Sequence, residues 1–297
     1  MQKSVEKTIA GLALAAVLAL GYYISQHAQN IEWTGRAVSE ATLEDYLTIG
    51  TWNIESFGHS KINKPDVMDY IARTILENKV DILAVQEIRS KEDVIPALIE
   101  RLNVSGANYD YIIGPRLGRT SSKEQYAYIY NKNNISYIND SAFTIQDADD
   151  LLHREPFVAK FKADSFDFTL INIHTDPDEA EQELNVLDDV YAAVQNDDAD
   201  ENDIIMLGDF NEPGDRLYEL GSLPGIVVLL TDRAVKTNTI GTKQYDNILF
   251  DENTRDEYTG YVRAFDFEKY FGILQDKALE VSDHRPVFAR FSRQGKD

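Results

Sequence analysis

The sequence predicts an α+β or α/β sandwich in which two β-sheets pack together with helices outside. Three observations point to it. Strand-length apolar runs recur along the chain, while only three or four stretches carry a convincing helical period. A hydrophobic content of 43%, with 16 Tyr and 13 Phe, suits a sizeable core. About 265 residues remain beyond the N-terminal segment, enough for one large domain or two small ones. Several apolar runs end in polar residues, which a sheet sandwich would gather at one rim.

Residues 1–28 read as a targeting segment. Lys3 and Lys7 precede an apolar run from Ile9 to Ile24, rich in Ala and Leu. The run is long for a signal-peptide core and short for a spanning helix. Ala19-Leu20-Gly21 offers a small-x-small cleavage site, so a cleaved signal peptide and an uncleaved anchor through residues 9–24 both stay open. In either case the positive end stays in the cytoplasm and the domain is exported, secreted or periplasmic. Residues 29–45 are polar and read as a linker, and the folded domain is expected over 46–293.

Leu47–Trp52 reads as the first strand. Pro65–Asn78 reads as a helix, with Pro at its first position and Val67, Ile71 and Ile75 at spacing four. Asp81–Ile88 is a strand, followed by a helix near Asp93–Leu102. Tyr109–Gly114, Gln125–Asn131, Ile135–Thr144, Phe157–Lys162 and Phe168–His174 follow as strands. Glu179–Val194 is an amphipathic helix carrying Leu184, Leu187, Tyr191 and Val194. Ile204–Gly208, Gln244–Phe250 and Pro286–Phe291 complete the strands. No repeat or long low-complexity stretch interrupts them.

Composition excludes several function classes. The chain has no cysteine, so disulfides, thiolate metal sites and a cysteine nucleophile are out. Its formal net charge of −22 argues against a protein that coats nucleic acid by bulk positive charge. An enzyme of this charge can still take a polyanion if a bound cation and a few local Arg and Lys face the substrate.

The chemistry-bearing residues sit at strand ends: Asn53, Glu87, Asp209, Asn211, Asp246 and Asp283. Hard oxygen donors of this kind suit Mg2+, Mn2+ or Ca2+, and converging carboxylates need a counter-cation. Two of the five histidines, His174 and His284, follow apolar runs beside these candidates. A histidine paired with a carboxylate suits acid–base work on an attacking or leaving oxygen. The set fits metal-assisted phosphodiester hydrolysis. Singly, each motif is weak: a GDFN segment is commonly just a strand-to-turn signal, and Ser282-Asp283-His284 is weaker still. Their ordered joint occurrence carries the reading. His27, His59 and His153 lack such a context and are expected at the surface or in a linker.

At this level the chain resembles the endonuclease/exonuclease/phosphatase superfamily, and within it the deoxyribonuclease I branch. The likeness runs from about Leu47 to Phe291 through TWNIESFG, DILAVQEIRS, GPRLGRTSSKEQYAYIY, HREPFVAKF, INIHTDPDEAEQELNVLDDVY, MLGDFNEP, YDNILF, FDFEKYFG and VSDHRPV. The resemblance implies a four-layer α/β/β/α sandwich of two mixed sheets. It implies Glu87 as the principal metal carboxylate, helped by Asn53 and Asp283. Asp209 and Asn211 resemble the pair that orients water and contacts the phosphate. His284, held by Asp246, resembles the histidine on the scissile phosphate; His174, paired with Glu124, resembles the second catalytic histidine. Arg154 resembles a phosphate-binding arginine, and Arg119 and Arg89 match DNA contacts.

There are departures. Ser122 stands where the branch usually places a tyrosine against the minor groove, which removes a stacking surface. The branch's disulfides are absent. A calcium loop looks eroded: Thr237 and Thr239 persist, but Val235 stands where a carboxylate is expected. Asp147, Asp149, Asp150 and Glu155 could hold a further Ca2+, but read more simply as a solvated acidic loop.

The leading expectation is an exported endonuclease that uses Mg2+ or Mn2+, with Ca2+ as a further candidate. Its substrate is DNA, expected double-stranded, cut to 5′-phosphate ends. Alternatives are a phosphoesterase of the same fold acting on a phospholipid or small-molecule headgroup, and an inactive binding protein on the nuclease fold. No protein partner is expected.

Overall fold

Thirteen strands and six helices alternate along the part of the chain that the computed structural model describes, residues 46–89, 93–197 and 203–295. The expected targeting segment 1–28 and linker 29–45 lie outside the described residues.

The first sheet has six strands in the order β12-β13-β1-β2-β4-β3. These are β1 (Tyr46–Phe57), β2 (Ile82–Ile88), β3 (Tyr109–Ile113), β4 (Gln125–Asn131), β12 (Tyr258–Ala264) and β13 (Val287–Ser292). The second has seven. Its main path β10-β11-β9-β8-β7-β5 comprises β5 (Ser136–Tyr137), β7 (Phe157–Ala163), β8 (Phe166–His174), β9 (Ile204–Asp209), β10 (Val227–Val228) and β11 (Asp246–Phe250), and β6 (Phe143–Thr144) pairs with β7. Each sheet holds one parallel pair, β1 with β2 and β8 with β9. Parallel neighbours need a crossover. Helices α1 (His59–Ile62) and α2 (Pro65–Glu77) supply the first, and α4 (Ala180–Asp197) supplies the second.

Alternation along the strands sorts side chains into three apolar layers. Ile82 and Ala84 of β2, Ile205 and Leu207 of β9, and Val287, Ala289 and Phe291 of β13 fill the space between the sheets. Leu83 and Val85 point the other way, against Val67, Ile71 and Ile75 of α2 and Leu98 of α3 (Val94–Asn103). Ile204 and Met206 likewise turn out against Leu184, Leu187, Tyr191 and Val194 of α4. Both faces of both sheets are therefore covered, which is why the central strands read as continuous apolar runs. The result is the expected four-layer α/β/β/α sandwich.

Some sequence expectations change. Ile135–Thr144 is not one strand: it splits into β5 and β6 around a turn where Asp140 adopts φ +61°. Edge strand β12, the two-residue β10 and the short helices α5 (Phe267–Phe271) and α6 (Gln275–Val281) were not anticipated. In β12, Gly260 and Arg263 interrupt the apolar pattern and most residues are half-buried or exposed. Helix α6 buries only Ala278 and Val281, too few to show a period.

Candidate functional site

Three adjacent strands of the second sheet place three polar residues in one row. His174 ends β8 opposite Asp209, which ends β9, and Asp209 in turn pairs with Asp246 at the start of antiparallel β11. Gly208 permits the close approach of β8 and β9: its φ is +152°, and a Cβ there would overlap the Ile173 carbonyl.

The first sheet contributes Asn53 and Glu87. Glu87 adopts φ +58°, within an irregularity that shifts the register of β2 against both neighbours. A bulge of this kind re-aims a side chain, and left-handed backbone at a non-glycine residue is a strain that gathers at functional sites. Asn53 joins the sheets: its Nδ2 donates to Glu87 Oε1 at 3.1 Å and to Asp209 Oδ2 at 3.0 Å. Below it, Gln86 Nε2 donates to Asn172 Oδ1 at 2.6 Å and to Thr51 Oγ1 at 3.0 Å, a buried polar link between the sheets that the sequence did not reveal.

The segment Ser282–His284 is fastened to β1. Ser282 Oγ donates to the Asn53 carbonyl at 2.7 Å and accepts from the His284 amide at 2.9 Å. The Trp52 indole donates to the His284 carbonyl at 2.9 Å. Buried Lys61 donates to the Glu280 and Val281 carbonyls at the end of α6 and faces Glu55 at 3.7 Å. Trp52, Lys61 and Ser282 carry no catalytic signature in sequence, because their work is on backbone oxygens far away in the chain.

Both histidines are buried and backed by a carboxylate. His174 Nδ1 lies 2.9 Å from Glu124 Oε2, and His284 Nδ1 lies 2.9 Å from Asp246 Oδ2. Their Nε2 atoms converge on one oxygen, Asp209 Oδ2, at 3.6 and 3.5 Å. Asp209 Oδ1 accepts the Asn211 amide at 3.0 Å, and Asn211 Nδ2 donates to the Thr175 carbonyl at 2.8 Å. Asp283, half exposed, approaches His284 Nε2 at 3.8 Å.

Burial alone would lower the His284 ring, but Asp246, Asp209 and Asp283 outweigh it and hold the ring well above its ordinary value. Burial raises Asp246 to about 6 against the pull of His284. Burial also works to raise Glu87, yet His174, the Ser56 amide, Asn53 and Arg89 hold it down at about 2, so it is ionised. Asp209, Asp246 and His284 form a group that could hold a metal ion, each offering an atom within 4.8 Å of the others. Asp246 is fully enclosed behind the His284 ring, however. A more open seat lies at Glu87, Asp283 and Asn53, whose Oδ1 is buried without a hydrogen-bond partner.

Two of the three arginines, Arg89 and Arg154, face the same Glu124 oxygen, and Arg119 does not. Arg89 donates through Nη2 to Glu87 Oε2 at 3.0 Å and to Glu124 Oε1 at 3.1 Å, and through Nη1 to the Ser122 hydroxyl. Arg154 is buried, donating to the His174 and Thr175 carbonyls at 2.9 and 3.0 Å, with Nη1 3.8 Å from Glu124. Arg119 is outside the cluster, paired with Glu179 at 2.6 Å and Asp150 at 3.1 Å. The latter pair ties down the acidic loop. Thr237 and Thr239 are engaged within the protein: Thr237 Oγ1 accepts the Tyr245 and Asp246 amides, and Thr239 Oγ1 donates to the Ser282 carbonyl. His59 is exposed, as expected, but His153 is half-buried 3.5 Å from Asp176.

Glu183, in the first turn of α4, clamps the two loops that flank this cluster. It accepts the amides of His153 at 2.9 Å and Asp176 at 3.2 Å, and burial pushes its carboxyl up to about 7. A carboxyl raised by folding adds stability that is complete below its unfolded value near 4.5 and lost as pH rises through about 7. Glu183→Gln is therefore expected to flatten the fall in stability between about pH 5 and about pH 8, by up to about 3 kcal/mol. Urea titrations at both pH values check this; an equal fall in both proteins rejects it.

Residues 50–284 match the Endonuclease/Exonuclease/phosphatase family. The chain is 34% identical over 260 residues to deoxyribonuclease gamma of Homo sapiens, covering 81% of this chain and 84% of that protein. It is 31% identical over 262 residues to deoxyribonuclease-1 of Bos taurus, covering 81% and 90%. Among solved structures, the human Nocturnin catalytic domain with bound sulfate superposes with a TM-score of 0.59 at 17% identity, covering 84% and 94% of the two chains. The endonuclease/exonuclease/phosphatase from Bacteroides vulgatus gives 0.58 at 16% identity, covering 83% and 98%. At such identities the structural likeness concerns the fold alone.

Proposed function

Because the chain belongs to the endonuclease/exonuclease/phosphatase family, we propose that it is a divalent-metal-dependent endonuclease that hydrolyses DNA, double-stranded by preference, to 5′-phosphate ends. One observation carries the reading: two histidines, each backed by its own carboxylate, aim Nε2 at the same oxygen of Asp209.

In this reading the scissile phosphate lies over Asp209, between the two rings. Asp209 and Asn211 orient the attacking water, and Asp209 accepts its proton. His284, kept charged by the surrounding carboxylates, donates to a non-bridging phosphate oxygen. Glu124 accepts the His174 Nδ1–H, so the ring acts as an imidazolium whose second proton, on Nε2, passes to the leaving O3′ and leaves the neutral imidazole. Water attack in line leaves the phosphate on the 5′ side without a covalent intermediate. Glu87, Asn53 and Asp283 would hold Mg2+ or Mn2+, which supplies charge neutralisation at the phosphoryl oxygens. The orphaned Asn53 Oδ1 and the ionised Glu87 fit a hard cation. Arg154 acts from beneath by fixing the His174 backbone. Arg89 and Arg119 offer cationic edges to the strand.

Residues 1–28 are proposed to export the domain, as a cleaved signal peptide or an anchor through 9–24. Among the described residues, no helix is long and apolar enough to cross a membrane. The N-terminal mass of the exported protein tests this. The purified protein is expected to nick supercoiled plasmid with Mg2+ and to stop when EDTA is added. Phosphoinositides and sphingomyelin assayed in parallel should be left intact. Turnover of a headgroup without DNA cleavage would favour the phosphoesterase alternative, and plasmid cleavage undiminished by EDTA would remove the metal from the proposal.

A further inference from the structure

Positive charge is scarce in a chain of net charge −22, so its local excess is informative. A pocket of about 430 Å³ opens beside Asn211 and Tyr245 and is lined by Arg216, Arg233, Lys236 and Lys243. It begins where the hydrolytic cluster ends. The Tyr245 ring lies 6.2 Å from the His284 ring, and Lys243 Nζ lies 6.0 Å from the centre of the Tyr245 ring.

The carboxylates at this pocket do not balance the cations. Arg216 pairs with Glu212 at 2.6 Å and Arg233 pairs with Asp215 at 2.7 Å. Lys236 and Lys243 have no carboxylate partner among the described residues. A net charge of about +2 is left facing the pocket, in a surrounding field that is negative. The pocket wall is also braced. Gln244, buried, accepts the Gly214 amide at 3.1 Å and donates to the Asp232 carbonyl at 2.8 Å and the Val235 carbonyl at 3.0 Å. One side chain thus joins the loop bearing Arg216 to the loop bearing Arg233, Lys236 and Lys243.

We propose that this pocket is a backbone-phosphate subsite: Lys236 and Lys243, flanked by Arg216 and Arg233, hold the phosphodiesters next along the strand from the scissile one. The chemistry follows from the residues. Lysines act as mobile point charges and suit sequence-independent contact with phosphate. The tyrosine between pocket and His284 places the subsite on the path of a strand lying over Asp209. The inference rests on the nuclease reading for the identity of the strand. It also gives the acidic chain a means of gripping a polyanion where Ser122 offers no stacking surface.

The test is binding, measured separately from cleavage. In the full chain carrying His174→Ala, Kd for a fluorescent 20-base-pair duplex is read by anisotropy across a KCl series with Mg2+. Lys236→Gln with Lys243→Gln is expected to weaken binding several-fold and to reduce the slope of log K against log salt by about 1 to 2. Lys236→Arg with Lys243→Arg is expected to restore the slope, which loss of folding would not. An unchanged slope in the glutamine variant overturns the subsite. Displacement of the duplex by millimolar inorganic phosphate, dependent on the same lysines, would also overturn it, by showing a phosphomonoester pocket. Plasmid cleavage by the wild-type protein is scored alongside. Cleavage with an unchanged slope removes the subsite alone, while absent cleavage with a reduced slope removes the nuclease reading and keeps a strand-binding site.

Discussion

His174→Ala and His284→Ala are each expected to lower kcat for plasmid nicking by about 10²- to 10⁴-fold, or about 3 to 5 kcal/mol of transition-state stabilisation. The double variant should fall little below the worse single one, because groups that act as a unit are not additive. The geometry makes them a unit: both Nε2 atoms address Asp209 Oδ2, so both can serve only a phosphate bound at that one place. Initial rates at saturating Mg2+ check this, and full activity in His174→Ala would sink its assigned role.

The two variants differ in what they leave behind, and this separates chemistry from stability. Removing His174 leaves Glu124 still bonded to Arg89 and close to Arg154. The cost in stability should be small. Removing His284 leaves Asp246 enclosed with no cation against it, which costs about 3 to 5 kcal/mol if the carboxylate stays charged. Asp246 already sits at about 6 beside the ring, so without the ring it should rise further and protonate. A raised carboxyl contributes stability at low pH and loses it as pH rises. The raised His284 ring of wild type and the raised Asp246 carboxyl of the variant each keep one proton that the unfolded chain gives up, so thermal midpoints of His284→Ala should lie below wild type by a roughly constant margin through neutrality, while His174→Ala tracks wild type. His174→Ala is thus the cleaner probe of catalysis.

The sequence showed the individual strand ends but not their meeting. Asn53, Glu87, His174 and Asp209 were legible because each closes or interrupts an apolar run, and the central strands are apolar on both faces. What brings them together is register: His174 opposite Asp209 opposite Asp246 is a property of three strands, and no single segment encodes it. Glu124 lies 50 positions from His174, and only the family likeness placed it at the ring. The Thr51–Gln86–Asn172 link was invisible because each member looks like an ordinary polar residue in a strand. Arg154 and Arg119 were legible as residues but not as geometry: one is bonded to carbonyls under His174, the other holds an acidic loop. The basic pocket was hidden for a different reason. Its four cations are dispersed between positions 216 and 243, with Glu219 and Asp232 among them, so no window of sequence is basic.

Glu87→Gln is expected to raise the Mg2+ needed for half-maximal nicking by at least about 100-fold, beyond the 10- to 100-fold typical of residues that only support a ligand. The backbone at Glu87 is strained to aim this side chain, and His174, the Ser56 amide, Asn53 and Arg89 hold its carboxyl down at about 2. Both features make sense for a carboxylate kept ready for a metal. Two losses should appear in Glu87→Gln, and they are separable. A depressed carboxyl contributes stability above its unfolded value near 4.5 that is lost as pH falls towards 2, so the metal-free variant should be less stable by up to about 3 kcal/mol at neutral pH and match wild type in strong acid. The second loss depends on metal concentration: wild type should gain about 2.7 kcal/mol at Mg2+ a hundred times its Kd, and the variant should gain almost none. Asp283→Asn, at a half-exposed position, should show a weaker form of the second loss and none of the first, because burial, with Glu87 and Asp209, raises that carboxyl instead of lowering it. If Glu87→Gln kept the full Mg2+-dependent gain, the metal would have to sit elsewhere, and the Asp209–Asp246–His284 group would be the next seat to test.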